Sequence, residues 1–162
     1  MRARPYSDPV RGDGDGWVVS DTGAAFWGRF GAAGLLLRAP DPGGTAAVLL
    51  QHRAAWSHQG GTWGLPGGAR DSHETVEQAA VRESNEEAGI DPSMVTVVES
   101  IVTHQTPDWS YTTVIATVPT TVTTVGNGES AELRWVPAGA VADLPLHPGL
   151  AKAWPDLLLR MG

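Results

Sequence analysis

Three glutamates, Glu83, Glu86 and Glu87, stand at spacings i, i+3 and i+4. On an α-helix that spacing puts them on one face, where like charges repel by roughly 0.2–0.5 kcal/mol per exposed pair. Val76, Ala79 and Ala80 fall on the same stripe one or two turns earlier. The face therefore begins small and apolar and ends in carboxylates, whereas a simple solvent face is polar throughout. Carboxylates at the rim of a packed surface need a counter-charge, because desolvated anions are costly. The chain has no cysteine and no histidine at ligand spacing, so hard oxygen ligands point to Mg²⁺ or Mn²⁺. Taken alone, three glutamates read more readily as a solvated acidic face; the residues around them alter that reading.

The element that must carry these residues is a helix from about Val76 to Ala88. Thr75 and Gln78 form a capping box at its start. Gly89 occupies the left-handed position after its end, with Ile90 and Pro92 closing it. Short strands are expected at Gly16–Ser20 and Ala25–Trp27 around a turn at Asp21–Gly23. A hairpin is expected from Ala32–Arg38 and Ala46–Arg53 around Asp41–Gly44. Residues 54–68 read as a Gly- and Trp-rich loop. Further strands are expected near Val95–Val102, Tyr111–Val118 and Glu132–Val136, and a closing helix over Pro148–Arg160. Strands before, between and after two helices suggest a mixed α/β sandwich. Residues 1–15 read as an N-terminal arm, and 16–162 as a single domain.

Composition limits the partners. The chain has 162 residues, 41% of them apolar, and a formal net charge of −7. That length fits one domain able to bury a core without staples. An acidic surface argues against a grip on a nucleic-acid polymer. Apolar runs such as Ala46–Leu50 are too short to span a bilayer. The polar start carries no targeting segment, and the absence of cysteine disulfides fits a reducing, cytoplasmic setting.

The stretch Gly68–Ile90 carries a specific resemblance. Gly68, Glu74, Arg82, Glu83, Glu86, Glu87, Gly89 and Ile90 fall in register with the Nudix box, G-x5-E-x7-R-E-U-x-E-E-x-G-U with U apolar. Seven of these positions are fixed to one residue type, and chance gives on the order of 10⁻⁸ per start position. Ser84 departs, standing where the pattern has an apolar residue. The chain thus resembles Nudix hydrolases, which cleave a nucleoside diphosphate linked to another group. The resemblance implies an α/β/α sandwich with a mixed β-sheet and the box as loop–helix–loop. It implies metal ligation by Glu83, Glu86 and Glu87, with the backbone carbonyl of Gly67 added. It also implies that Glu74 and Arg82 brace the loop against the helix.

Outside the box, Leu65-Pro-Gly-Gly68 is a usual lead-in, and Arg53 and His58 fall where MutT-type enzymes contact nucleotide. The course from Gly16 to Trp154 is similar to an actinobacterial MutT-like subgroup that includes 8-oxo-dGTP diphosphatases. That implies water attack at the β-phosphorus of a nucleoside triphosphate, giving nucleoside monophosphate and pyrophosphate. Arg53 would clamp a phosphate. The general base is Glu83 or one of two glutamates outside the box, Glu129 and Glu132. Trp56, Trp63 and Trp109 are candidates for stacking on a base. His147 stands in a stretch where the MutT-type enzymes have a base-reading Asn. His52, His73 and His104 read as structural or solvent-facing. The expected partner is a small nucleotide, with no nucleic-acid polymer and no membrane. Competing readings keep the chemistry and change the substrate to ADP-ribose, a dinucleoside polyphosphate or NADH, or drop catalysis for a nucleotide-sensing module.

Overall fold

The structure is a computed structural model that describes residues 12–54, 60–128 and 130–161. Its centre is a run of apolar residues that cannot face water on either side. Strand β3 (Ala32–Pro40) is buried along almost its whole length, with Leu35, Leu36 and Leu37 all at 0% exposure. Each such side chain contributes about 1.5–3 kcal/mol through burial. Successive side chains on a strand point to opposite faces, so β3 supplies two cores. Ala33, Leu35 and Leu37 join Leu49, Val114 and Ala116 under helix α1 (Val76–Ala88). Leu36 joins Val48, Leu50 and Ile115 against Leu150, Trp154 and Leu157 of helix α2 (Pro148–Arg160). The sheet is sandwiched between the two helices, as the order of elements suggested.

A hairpin of β1 (Trp17–Val19) and β2 (Ala25–Trp27) precedes β3. Strand β4 (Ala46–Arg53) pairs antiparallel with β3, and β8 (Ser110–Thr117) pairs parallel with it, making the sheet mixed. Strand β7 (Thr96–Gln105) forms one edge against β8. Strand β9 (Ser130–Pro137) pairs with β4. Two short strands, β5 (Trp63–Gly64) and β6 (Gly67–Ala69), lie inside the segment expected to be wholly loop. They exist because β4 and β3 offer them unpaired edges: β5 pairs with Gln51 and His52, and β6 with Ala32–Gly34. Two short 3-10 helices, Pro92–Met94 and Ala138–Asp143, were also not foreseen.

Helix α1 begins and ends as its flanking residues dictate. The Thr75 side chain accepts from the Gln78 N–H, the Gln78 side chain accepts from the Thr75 N–H, and Gly89 takes φ +70°. The N–H of Val125 then satisfies the Ala88 carbonyl at the helix end. Ala79, Ala80 and Ala88 press on the sheet at 0% exposure, so the helix approaches closely. Ser84 shares that interface, and its Oγ is the one fully buried side-chain polar atom without a partner among the described residues. It occupies the position where the box pattern has an apolar residue.

Candidate metal and nucleotide site

Arg82 organises the carboxylates. Its Nε donates to Glu74 Oε2 at 2.6 Å and its Nη2 to Glu74 Oε1 at 2.9 Å, a two-point ion pair. Nη2 also donates to the Ala69 carbonyl at 3.0 Å, which ties the helix to the loop before it. Nη1 reaches Glu83 and Glu86, each at 3.2 Å. One guanidinium thus faces three carboxylates, with Asp71 a fourth at 3.9 Å. Glu74 and Arg82 brace loop against helix in the way the resemblance implies.

Glu87 is held separately. Its Oε1 accepts the Gly67 N–H at 3.0 Å and the Gln51 side-chain amide at 3.3 Å. The glycines beside it are required by contact. A Cβ on Gly67 would lie 2.4 Å from the Ala33 carbonyl oxygen, and one on Gly68 would lie 2.6 Å from the Glu83 carboxylate. The backbone at 67–68 therefore runs directly against the glutamate face. The donors gathered here are oxygens, and a single guanidinium does not balance them. That set fits a hard divalent cation, which Glu83, Glu86 and Glu87 would hold beside Gly67.

The charges leave marks on the titrating groups. Burial pushes the Glu83 carboxyl up to about 7; Arg82 opposes the rise, while Glu86 and Asp15 add to it. For Glu74, burial also acts to raise the pKa. Hydrogen bonds from Arg82 and from the Asp71 N–H, with the Arg82 charge, outweigh burial and hold the carboxyl below its ordinary 4.5. The folded carboxyl thus binds its proton less tightly than the unfolded one. Its stabilisation is complete above the ordinary value and is lost as pH falls through the lowered one. Thermal melts from pH 6 to pH 3 should show a fall in Tm below about 4.5 that is shallower in Glu74→Gln. Parallel curves for the two proteins would refute the assignment.

A second group, Asp71, His73 and Glu74, brings ligand atoms within 4.8 Å of one another. Its carboxylates are already committed: Asp71 Oδ1 accepts the Gly14 N–H, and Glu74 is bound by Arg82. This group belongs to the brace.

The segment from Gly12 to Asp15 falls within the stretch read from the sequence as an N-terminal arm. The segment is docked on the box loop. Besides the Gly14–Asp71 bond of 2.9 Å, Asp13 Oδ1 accepts the Ser72 N–H at 2.8 Å, and Gly14 O accepts the Arg29 N–H. A Cβ on Gly14 would lie 2.0 Å from the Arg70 carbonyl oxygen. The alternation of Gly and Asp was the available signal. Asp15, carried by this strap, is the charge felt at Glu83.

The remaining candidates are dispersed. His58, Trp56 and Glu129 lie outside the described residues. Arg53 ends β4 at a bulge, where its charge acts on Tyr111 together with that of Glu87. Trp63 and His147 come together on the α2 side: the His147 N–H donates to the Trp63 carbonyl at 2.8 Å. Trp63 is 5% exposed, stacked on His52 at 4.6 Å, with the Arg134 guanidinium 4.7 Å from its ring centroid. Those contacts give it a packing place instead of an open stacking face. His147 caps α2, its Nδ1 accepting the Gly149 N–H at 3.1 Å. Glu132 is exposed and paired with Arg134 at 3.0 Å. Trp109 stacks on Phe26 at 4.6 Å and donates to the Trp27 carbonyl, fastening the β1–β2 hairpin to the β7–β8 turn. His104 is exposed beside that pair, 5.7 Å from the Phe26 ring, and His73 is exposed. His52 Nε2 contacts the Gly61 carbonyl oxygen. Among the described residues, no helix is long and apolar enough to cross a membrane.

Comparison with known proteins agrees with this fold. The family model of the NUDIX domain matches residues 28–157. A Mycobacterium tuberculosis protein named "Putative 8-oxo-dGTP diphosphatase 3" is 66% identical over 157 residues, covering 94% of this chain and 72% of its own length. A "Nucleoside triphosphate pyrophosphatase/Nudix hydrolase fusion protein" of Bifidobacterium longum is 41% identical, covering 97% of this chain and 33% of the fusion. The crystal structure of a Nudix hydrolase from M. smegmatis, RenU, superposes with a TM-score of 0.88 at 62% identity, covering 91% of this chain and 95% of that one.

Proposed function

The chain belongs to the NUDIX domain family, and we propose that it is a Mg²⁺-dependent nucleoside triphosphate diphosphatase acting on 8-oxo-dGTP or dGTP. Its products would be the nucleoside monophosphate and pyrophosphate, and its role would be to cleanse the nucleotide pool of the cytoplasm. The observation that carries the reading is the glutamate face ordered by Arg82 and abutted by Gly67 and Gly68. The choice among substrates is supported by the 66% identity to the mycobacterial relative.

Nudix hydrolases use divalent metal ions; such an ion, held here, would supply charge neutralisation for a polyphosphate and activation of water. Glu83, Glu86 and Glu87 would hold it, with the Gly67 carbonyl. Arg82 Nη1 gathers Glu83 and Glu86 and aims them by bonding one oxygen of each, and the Gly67 N–H fixes one oxygen of Glu87. Arg53 takes a phosphate oxygen, since a guanidinium matches that geometry. Proton acceptance from the attacking water falls to Glu83, Glu129 or Glu132, of which Glu83 is bonded by Arg82 and Glu132 by Arg134.

The test compares kcat/KM with Mg²⁺ for 8-oxo-dGTP, dGTP, ADP-ribose and diadenosine tetraphosphate, with products resolved by anion exchange. We expect 8-oxo-dGTP or dGTP to lead, releasing monophosphate and pyrophosphate in equal amounts. A lead by ADP-ribose or the dinucleotide would overturn the substrate assignment. Release of inorganic phosphate as the first product would overturn the position of attack.

A further inference from the structure

Gly34 interrupts an otherwise apolar strand, Ala32–Leu37, and a glycine there marks a close approach. What approaches is the phenol of Tyr111 on β8. A Cβ on Gly34 would lie 1.8 Å from the Tyr111 hydroxyl oxygen and 3.4 Å from Leu65 Cβ. Gly34 is also the register partner of Gly67, whose N–H holds Glu87. Two glycines facing each other across β3 and β6 thus form a slot with Tyr111 on one side and the metal-binding glutamate at its end.

The hydroxyl has no hydrogen-bond partner among the described residues, yet it is not sealed in, since Ser84 Oγ is the only buried orphan there. A largely desolvated tyrosine hydroxyl usually finds a partner. Burial pushes this phenol above its ordinary range, the Glu87 charge adds to the rise and the Arg53 charge opposes it. The group is therefore a neutral donor subject to both charges.

We infer that the Tyr111 hydroxyl donates a hydrogen bond to a phosphate oxygen of the bound nucleotide, on the side of Glu87 and the Gly34–Gly67 pair. The inference rests on the reading of the chain as a nucleotide diphosphatase and adds a residue that lies outside the box. Gly34 serves it indirectly, by leaving room for the phenol.

Tyr111→Phe removes one oxygen and keeps the ring, so the fold has no reason to change; an unchanged Tm verifies this. A hydrogen bond to a charged oxygen is worth about tenfold or more in binding. The first measurement is calorimetric binding of α,β-methylene-dGTP with Mg²⁺, which needs no turnover. The second is the split of KM and kcat on the best substrate. Expected is a loss of about tenfold or more in affinity for the analogue, with KM raised by a similar factor and kcat changed less than about threefold. Equal analogue affinity in the two proteins overturns the inference, whatever the substrate is. If the wild-type protein binds the analogue but hydrolyses no nucleotide tested, the proposed function falls while the Tyr111 contact is still decided by binding.

Discussion

Glu87→Gln should lower turnover at saturating Mg²⁺ by at least about a hundredfold, since even groups behind the ligands of a metal site are worth about 10–100-fold. The substitution is informative because it disturbs little else. A glutamine oxygen can still accept the Gly67 N–H that now meets Glu87 Oε1 at 3.0 Å, so the loop keeps its tether. What is lost is the negative charge on a face that has one guanidinium for several carboxylates. Mn²⁺ titration followed by electron paramagnetic resonance should show weaker binding in parallel. Activity within a few-fold of wild type, with Mn²⁺ affinity unchanged, would sink the assignment of Glu87 as a ligand.

Arg82→Ala should be the most destabilising single change in the box. It removes both bonds to Glu74, whose side chain is 7% exposed, and strands Glu83, whose side chain is 12% exposed. Breaking a buried ion pair on one side costs about 3–5 kcal/mol. The Arg82 side chain is 31% exposed, so solvent relieves part of that and about 2–4 kcal/mol is expected. For a chain of this size the fall in Tm is about 5–15 °C. Arg82→Lys should recover less than half, because an ammonium cannot bond both Glu74 oxygens and the Ala69 carbonyl together. A melt within about 2 °C of wild type for Arg82→Ala would show that the brace contributes nothing to the fold.

The parts of this molecule that were legible in the sequence are those specified by neighbours along the chain. Helix α1 runs from Val76 to Ala88 as read, because a capping box and a left-handed glycine are local devices. The bounds of β4, Ala46–Arg53, were likewise set by the turn before it and the glycine-rich run after it. The brace was implied by the resemblance to the Nudix box, and bonds from Arg82 to Glu74 and Ala69 are in place. What was hidden depends on distant partners. Gly67–Ala69 has the composition of a loop and is a strand only because β3 offers its edge. The bond from Gly14 to Asp71 spans 57 positions, and no local pattern announces it. Trp63 could be taken for a stacking platform until His52 and Arg134 were seen on its ring. Tyr111 belongs to no motif; the glycine two strand positions along from its partner Ala32 was its only trace.

The parallel ladder between β3 and β8, from Ala32↔Tyr111 to Arg38↔Thr117, has a consequence in time. Closing so long a loop is entropically expensive and makes such pairings slow to form. During synthesis the box helix is complete well before β8 leaves the ribosome, since chains grow at about 5–20 residues per second. For those seconds the glutamate face exists without the parallel strand beside β3 in the sheet it packs on. A nascent chain stopped before Tyr111 would carry every box residue and still lack the finished mount.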